Sequence, residues 1–174
     1  MKVGIYGGSF NPIHFGHIGL AEWVLDNTDL DELWLMVSPN NPLKDSHILA
    51  DEQVRLREVR EAIRQLGNDA IRVSDFEFAL PKPNYTANTL RKLQEAHPEH
   101  EFTLIIGEDN LSIFSQWREH EYILQNYRIF VYPRKGCTPY QQPAAKDLQI
   151  LTDAPYFNIS STELRKNLDR KRVV

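Results

Sequence analysis

The sequence predicts an α/β fold, a doubly wound and mainly parallel sheet of about five to six strands with helices on both faces. Three features carry that expectation. Strand-like and helix-like patterns alternate along the chain, residues 102–106 form an unbroken apolar or β-branched run, and a glycine pair sits between the first strand and the first helix. A continuous apolar run suits a strand buried on both faces, and in open sheets of this kind ligands lie at the carboxyl ends of the strands.

The elements follow in order. Lys2-Val3-Gly4-Ile5-Tyr6 reads as the first strand and Gly7-Gly8 as a turn, after which residues 16–27 have an amphipathic helical pattern. A second strand over 33–37 runs into Ser38-Pro39-Asn40-Asn41-Pro42, whose prolines and asparagines stop regular structure. From Asp51 the spacing of Val54, Leu56, Val59, Ile63 and Leu66 predicts a helix that Gly67-Asn68 ends, with a third short strand at 70–73. Residues 81–84 break the chain again, and 86–96 reads as a helix capped near Thr86 or Asn88. The run 102–106, closed by Gly107, is expected mid-sheet. A polar turn at Glu108-Asp109-Asn110, a helical stretch at 117–124, a strand at 128–132, a proline-rich loop and a last strand near 148–151 complete the sheet. The whole of 1–174 reads as one Rossmann-like domain without repeat, linker or low-complexity segment.

Composition narrows the class of function. A chain of 174 residues, 41% hydrophobic and 25% charged, is large enough to enclose a core of its own. Its formal charge of -4 supplies no field that would draw it onto a nucleic acid or an anionic membrane, so neither is an expected partner. The single cysteine, Cys137, cannot close an intramolecular disulfide and lacks the paired spacing of a redox or zinc motif. No apolar run approaches the ~20 residues that span a bilayer, and Met1 leads into a strand rather than a signal peptide. The expectation is a cytoplasmic protein, monomer or homodimer.

The chemistry concentrates at the first strand-to-helix junction, Gly7-Gly8-Ser9-Phe10-Asn11-Pro12-Ile13-His14-Phe15-Gly16-His17. Glycines allow close backbone approach, unpaired amides at a helix start point outward, and the helix dipole favours negative charge there. Two imidazoles would add donors, so the junction suits phosphate. A plain turn with two surface histidines is the competing reading. Zinc through His14 and His17 lacks the third and fourth ligands it would need. Near the other end, Ile159-Ser160-Ser161-Thr162-Glu163-Leu164-Arg165 opens a last helix. Ser160 with Glu163 fits a capping box, which leaves Ser161, Thr162 and Arg165 as two hydroxyls and a guanidinium at a helix start, a set matched to a triphosphate.

These two motifs resemble the paired signatures of the HxGH nucleotidyltransferase superfamily. Within it, the chain is similar to the bacterial nicotinate mononucleotide adenylyltransferases through Gly7-Gly8-Ser9-Phe10-Asn11-Pro12-Ile13-His14, Pro83-Asn84-Tyr85-Thr86-Ala87-Asn88-Thr89-Leu90, Ile106-Gly107-Glu108-Asp109-Asn110-Leu111 and Phe114-Ser115-Gln116-Trp117. The resemblance runs from about residue 3 to about residue 168. It implies ATP and nicotinate mononucleotide as substrates, and nicotinate adenine dinucleotide and pyrophosphate as products. It also implies catalytic roles for His14, His17, Lys44 and Arg165, and ATP contacts from Gly7, Gly8, Ser9, Phe10, His17, Gly107, Asp109, Ile159, Ser161, Thr162 and Arg165. The acceptor side would be formed by Lys44, Tyr85, Thr86, Asp109, Trp117 and Arg134, with the Trp117 indole stacked on the pyridine ring. Each has a plain alternative: Trp117 as a core aromatic, Thr86 as a helix cap, Lys44 and Arg134 as solvated charges. Two departures stand out, Asn11 where many relatives have aspartate, and an end at Val174 where many continue.

The implied reaction needs no protein nucleophile, because the acceptor's phosphate oxygen can attack the α-phosphorus directly. The protein would supply position and charge, and Mg2+, held mainly by substrate phosphates and not by protein ligands, is the expected cofactor. Two other readings share these motifs: a relative with a different acceptor, such as phosphopantetheine adenylyltransferase or a cytidylyltransferase, and a non-catalytic nucleotide-binding module on the same fold.

Overall fold

The computed structural model describes residues 1–39, 51–137 and 140–156. They form a six-stranded, all-parallel sheet in the order β3-β2-β1-β4-β5-β6, built from β1 (Lys2–Gly8), β2 (Glu32–Val37), β3 (Ile71–Ser74), β4 (Glu101–Gly107), β5 (Arg128–Tyr132) and β6 (Asp147–Ile150). Side chains alternate between two cores. Val3 and Ile5 of β1 and Phe102, Leu104 and Ile106 of β4 enter one; Tyr6, Ile105 and Phe130 enter the other. Strands buried on both faces leave few polar positions, which is why 102–106 is uniformly apolar or β-branched.

The helices divide between those cores. α1 (Phe15–Asn27) and α2 (Glu52–Leu66) place Leu20, Ala21, Val24, Leu56, Val59 and Ile63 in one; α3 (Thr86–Ala96), α4 (Glu108–Ser112) and α5 (His120–Asn126) place Leu90, Leu93, Leu111 and Ile123 in the other. α2 stops where Gly67 adopts φ 72°, a left-handed conformation that costs an L side chain energy, and the Gly67 amide donates to the Ile63 carbonyl at 3.2 Å. No helix among the described residues is long and apolar enough to cross a membrane.

Three local expectations need correction. Gly7 and Gly8 are the last two residues of β1, paired with Met36 and Val37, because the parallel ladder continues two residues past the apolar run. Glu108-Asp109-Asn110 opens α4 and is not a turn; two acidic residues in a first turn complement the positive end of the helix. Trp117 follows a 3-10 turn at Phe114–Gln116, and the helix foreseen at 117–124 begins at His120. A further 3-10 turn at Phe76–Ala79 had no counterpart in the sequence pattern. The last helix, foreseen from Ile159, lies outside the described residues.

Candidate active site

β1 is flanked by β2 and β4, and the chain winds outward from it in both directions. The carboxyl ends of β1 and β4 therefore frame the crevice where a doubly wound sheet accepts a ligand. A cavity of about 370 Å³ opens there. Gly7, Gly8 and Ser9 line it from β1, Ser38 and Pro39 from the end of β2, and Thr86 and Trp117 from the far side. A Cβ on Gly7 would have its nearest neighbour, the Met36 carbonyl oxygen, at 4.0 Å, so the glycine exposes backbone to the opening.

Beside this cavity the two histidines form a closed hydrogen-bonded unit. His14 caps α1: its Nδ1 accepts from the Gly16 amide at 3.1 Å, while the His14 amide donates back to His17 Nδ1 at 3.2 Å. The rings stack with centroids 3.8 Å apart. A ring nitrogen that accepts carries no proton, so each neutral imidazole has its hydrogen on Nε2. His14 Nε2 is buried and has no hydrogen-bond partner among the described residues, an uncompensated donor of the kind that binding a ligand oxygen would satisfy.

The surroundings keep both rings uncharged. Burial, then His14, then Arg134 push the His17 pKa down to about 3; burial, then Arg134, lower that of His14. Phe10 supports this arrangement from beneath. Its backbone sits at φ 47°, an uncommon conformation for a bulky residue, and its 2% exposed ring meets His17 edge-on with centroids 4.9 Å apart. The ring of Phe10 thus belongs to the core, which leaves it no side-chain role at the opening. Asn11 is buried in the same loop.

On the β4 and β5 side, Gly107 ends its strand against Tyr132, and a Cβ there would collide with the Asp109 carboxylate. Asp109 Oδ1 lies 3.9 Å from Arg134 Nε, a half-exposed pair. Tyr132 meets Tyr6 edge-on at 5.9 Å, and Tyr6 reaches His17 at 6.2 Å between centroids, so these aromatic rings connect the Arg134 side to the histidines. The described chain ends at Tyr156, whose ring faces Lys135 Nζ at 5.6 Å on the hollow that Arg134 also lines.

Of the acceptor residues, Thr86 and Trp117 line the cavity and Tyr85 does not. Tyr85 flanks α3 without a side-chain cap bond, and the Arg118 guanidinium lies 4.8 Å from its ring centroid. Thr86 is the first residue of the helix and not its cap. Trp117 rests on Phe114 at 4.8 Å and is only partly buried. Lys44, Ile159, Ser161, Thr162 and Arg165 lie outside the described residues.

Sequence reasoning missed two buried charged groups. Arg55 of α2 is 0% exposed and donates through one terminal nitrogen to the carbonyls of Ser9, at 2.8 Å, and Ser38, at 2.7 Å, tying together the loops that leave β1 and β2. Its spacing to Val59 and Ile63 put it on the apolar stripe, which was the available signal. Glu77 lines the cavity floor and accepts from the Thr89 hydroxyl at 2.6 Å and the Ser38 hydroxyl at 3.5 Å, and burial raises its pKa despite both bonds. Nothing in the sequence around it pointed there.

Comparison with known proteins places the chain in a family and agrees with its fold. A family model described as cytidylyltransferase-like matches residues 5–167. A probable nicotinate-nucleotide adenylyltransferase of Flavobacterium psychrophilum is 44% identical over 99% of this chain and 89% of its own length. Another, of Bacteroides thetaiotaomicron, is 45% identical over 100% and 85%. Among solved structures, the Plasmodium falciparum nicotinic acid mononucleotide adenylyltransferase complexed with NaAD superposes with a TM-score of 0.78, covering 98% of this chain and 89% of that one at 19% identity, a likeness of fold.

Proposed function

This chain belongs to the cytidylyltransferase-like family and, within it, to the nicotinate-nucleotide adenylyltransferases, and we infer that it joins ATP to nicotinate mononucleotide in NAD biosynthesis. The observation that carries the reading at the level of chemistry is the His14 and His17 pair, whose Nδ1 atoms are both engaged by backbone amides and whose donors are thereby fixed on Nε2. Donors held in place before the reaction stabilise charge without reorganising, which is where most of the gain in such a site arises.

The reaction follows from position. An oxygen of the nicotinate mononucleotide phosphate forms a bond to the α-phosphorus of ATP; the bond from that phosphorus to the bridging oxygen breaks, and its electron pair leaves with pyrophosphate. In this proposal His14 and His17 donate to the α-phosphate oxygens through Nε2. Gly7, Gly8 and Ser9 bring backbone close to the nucleotide, and Gly107 and Asp109 border it. Lys44 and Arg165 act on the departing pyrophosphate, Ile159, Ser161 and Thr162 on the triphosphate, and Arg134 on the phosphate side. Trp117 stacks on the pyridine ring with Tyr85 and Thr86 toward its carboxylate. Holding both substrates in one crevice removes much of the entropic cost of a two-substrate reaction.

Mg2+ is the proposed cofactor. Among the described residues the carboxylates near the crevice make no cage: Asp109 is paired with Arg134, and Glu77 is buried against Thr89. That donor set would suit an ion that keeps its waters and is held mainly by substrate phosphates. When bound, the ion neutralises charge on the triphosphate.

The test is pyrophosphate release at matched ATP and Mg2+ with nicotinate mononucleotide, nicotinamide mononucleotide and phosphopantetheine in turn. Nicotinate mononucleotide should turn over fastest. Preferred turnover of phosphopantetheine, or ATP binding without pyrophosphate release under all three, would sink the assignment.

A further inference from the structure

The opposite end of the sheet carries a second cluster of donor atoms. Between α3 and β4 the chain reads His97-Pro98-Glu99-His100. One ligand atom from each of His97, Glu99 and His100 lies within 4.8 Å of the others. Glu99 Oε1 stands between the imidazoles, 3.7 Å from His97 Nδ1 and 3.5 Å from His100 Nε2. In a tetrahedral site with bonds near 2.0–2.1 Å, neighbouring ligand atoms are about 3.3 Å apart, so small side-chain rotations would bring the three into register.

The cluster is held by its surroundings. Gln94 Nε2 donates to the carbonyls of His97, at 3.3 Å, and His100, at 2.9 Å, and the His100 amide donates to the His97 carbonyl at 3.1 Å, which fixes the turn. Both rings lie edge-on to the Trp34 indole, at 5.5 and 5.9 Å, and nearly parallel to each other at 5.3 Å. His100 Nδ1 faces the Met1 amino group at 3.4 Å, which turns Nε2 toward Glu99. The adjoining hollow is lined by Asp29, Asp31, Glu99 and Glu101 beside Met1 and Lys2. Asp29 is ion-paired with Lys2 and Arg128, both at 2.8 Å, so Asp31, Glu99 and Glu101 are the carboxylates an approaching cation meets.

We propose that His97, Glu99 and His100 form a binding site for a transition-metal dication such as Zn2+, with the remaining coordination position taken by water. Two imidazole nitrogens and one carboxylate favour zinc or its neighbours over magnesium or calcium, which prefer all-oxygen sets. The site sits at the amino end of β4, whose seven residues place it roughly 20 Å from the crevice at the carboxyl end, so the metal would clip the α3–β4 turn without touching the reaction.

Calorimetric titration of the full chain with Zn2+, without nucleotide, tests this against His97→Ala and Glu99→Gln. The proposal expects one saturable zinc per chain in the parent, affinity reduced at least ~10-fold in each variant, and zinc-free pyrophosphate release unchanged in both. Glu99 is largely exposed, so Glu99→Gln leaves the fold intact and keeps the comparison valid. Absence of saturable binding in the parent overturns the proposal. So does a titration that is unchanged from the parent in both variants, which would assign the zinc to other donors.

Discussion

Burial, His14 and Arg134 together hold the His17 imidazole neutral down to about pH 3, and a group so placed links folding to pH. Between its ordinary value near 6.5 and its folded value, the unfolded chain binds a proton that the folded chain refuses. Stability conferred by neutral His17 is thus complete above the unfolded pKa and is lost as pH falls through this window. Thermal melts from pH 7 to pH 3.5 should show a falling Tm whose slope is shallower in His17→Gln, and parallel curves would contradict the buried neutral imidazole. His17→Ala should also lower kcat on the order of 10²-fold, measured as pyrophosphate release. Arg55 makes a comparable case without titrating. Arg55→Met leaves the Ser9 and Ser38 carbonyls without this donor, at about 1–3 kcal/mol for a buried group left unsatisfied. Urea unfolding should show that loss, and an unchanged midpoint would mean that the loops are held in other ways. Both effects depend on which atoms meet in the folded chain. The histidine motif was legible in the sequence; the reason its rings stay neutral was not.

Helices and strands were legible where local chemistry and long-range packing agree. α2 was readable because an apolar stripe of 3.6-residue period ends at a glycine, and both signals act within the helix itself. Gly67→Ala tests the second signal alone. An added Cβ meets nothing within 4 Å, so the expected loss of about 1 kcal/mol comes from backbone strain at φ 72° and not from a clash. Chemical denaturation should show that loss with activity unchanged, and a neutral result would remove strain as the reason the helix stops there. α4 went unread because five residues are too few to show a period, and Glu108-Asp109-Asn110 is polar whether it turns or coils. Gly7 and Gly8 were read as a turn because glycine permits one, yet pairing with β2 keeps them extended. In the second miss a contact distant in sequence outweighed a local preference.

Alternation of elements along the chain was enough to predict a parallel sheet, but strand order was not readable, because it depends on crossovers that no window of sequence contains. That order decides where the candidate site forms, since it sets β1 beside β4 and brings Trp117, 110 residues after Gly7, onto the same cavity. A ligand that binds only the folded chain stabilises it by RT ln(1 + [L]/Kd), about 2.7 kcal/mol at 100 times Kd. For a chain of this length that is a rise in Tm of roughly 5–11 °C. Stacking of a ring on an aromatic side chain is worth about 1–3 kcal/mol, so Trp117→Leu should weaken nicotinate mononucleotide binding roughly tenfold or more. At the same ligand concentration its stabilisation then falls to about 1.4 kcal/mol, half the parent shift. Because Trp117 also packs on Phe114, the substitution lowers the Tm of the free protein, and the informative quantity is the shift on adding ligand. The shift produced by ATP should be the same in parent and variant, because the cradle assigned to ATP lies at Gly7, Gly8 and the histidines. If the two ligand shifts shrink together, Trp117 supports the whole crevice instead of the acceptor side; if neither shrinks, the indole is an ordinary member of the core.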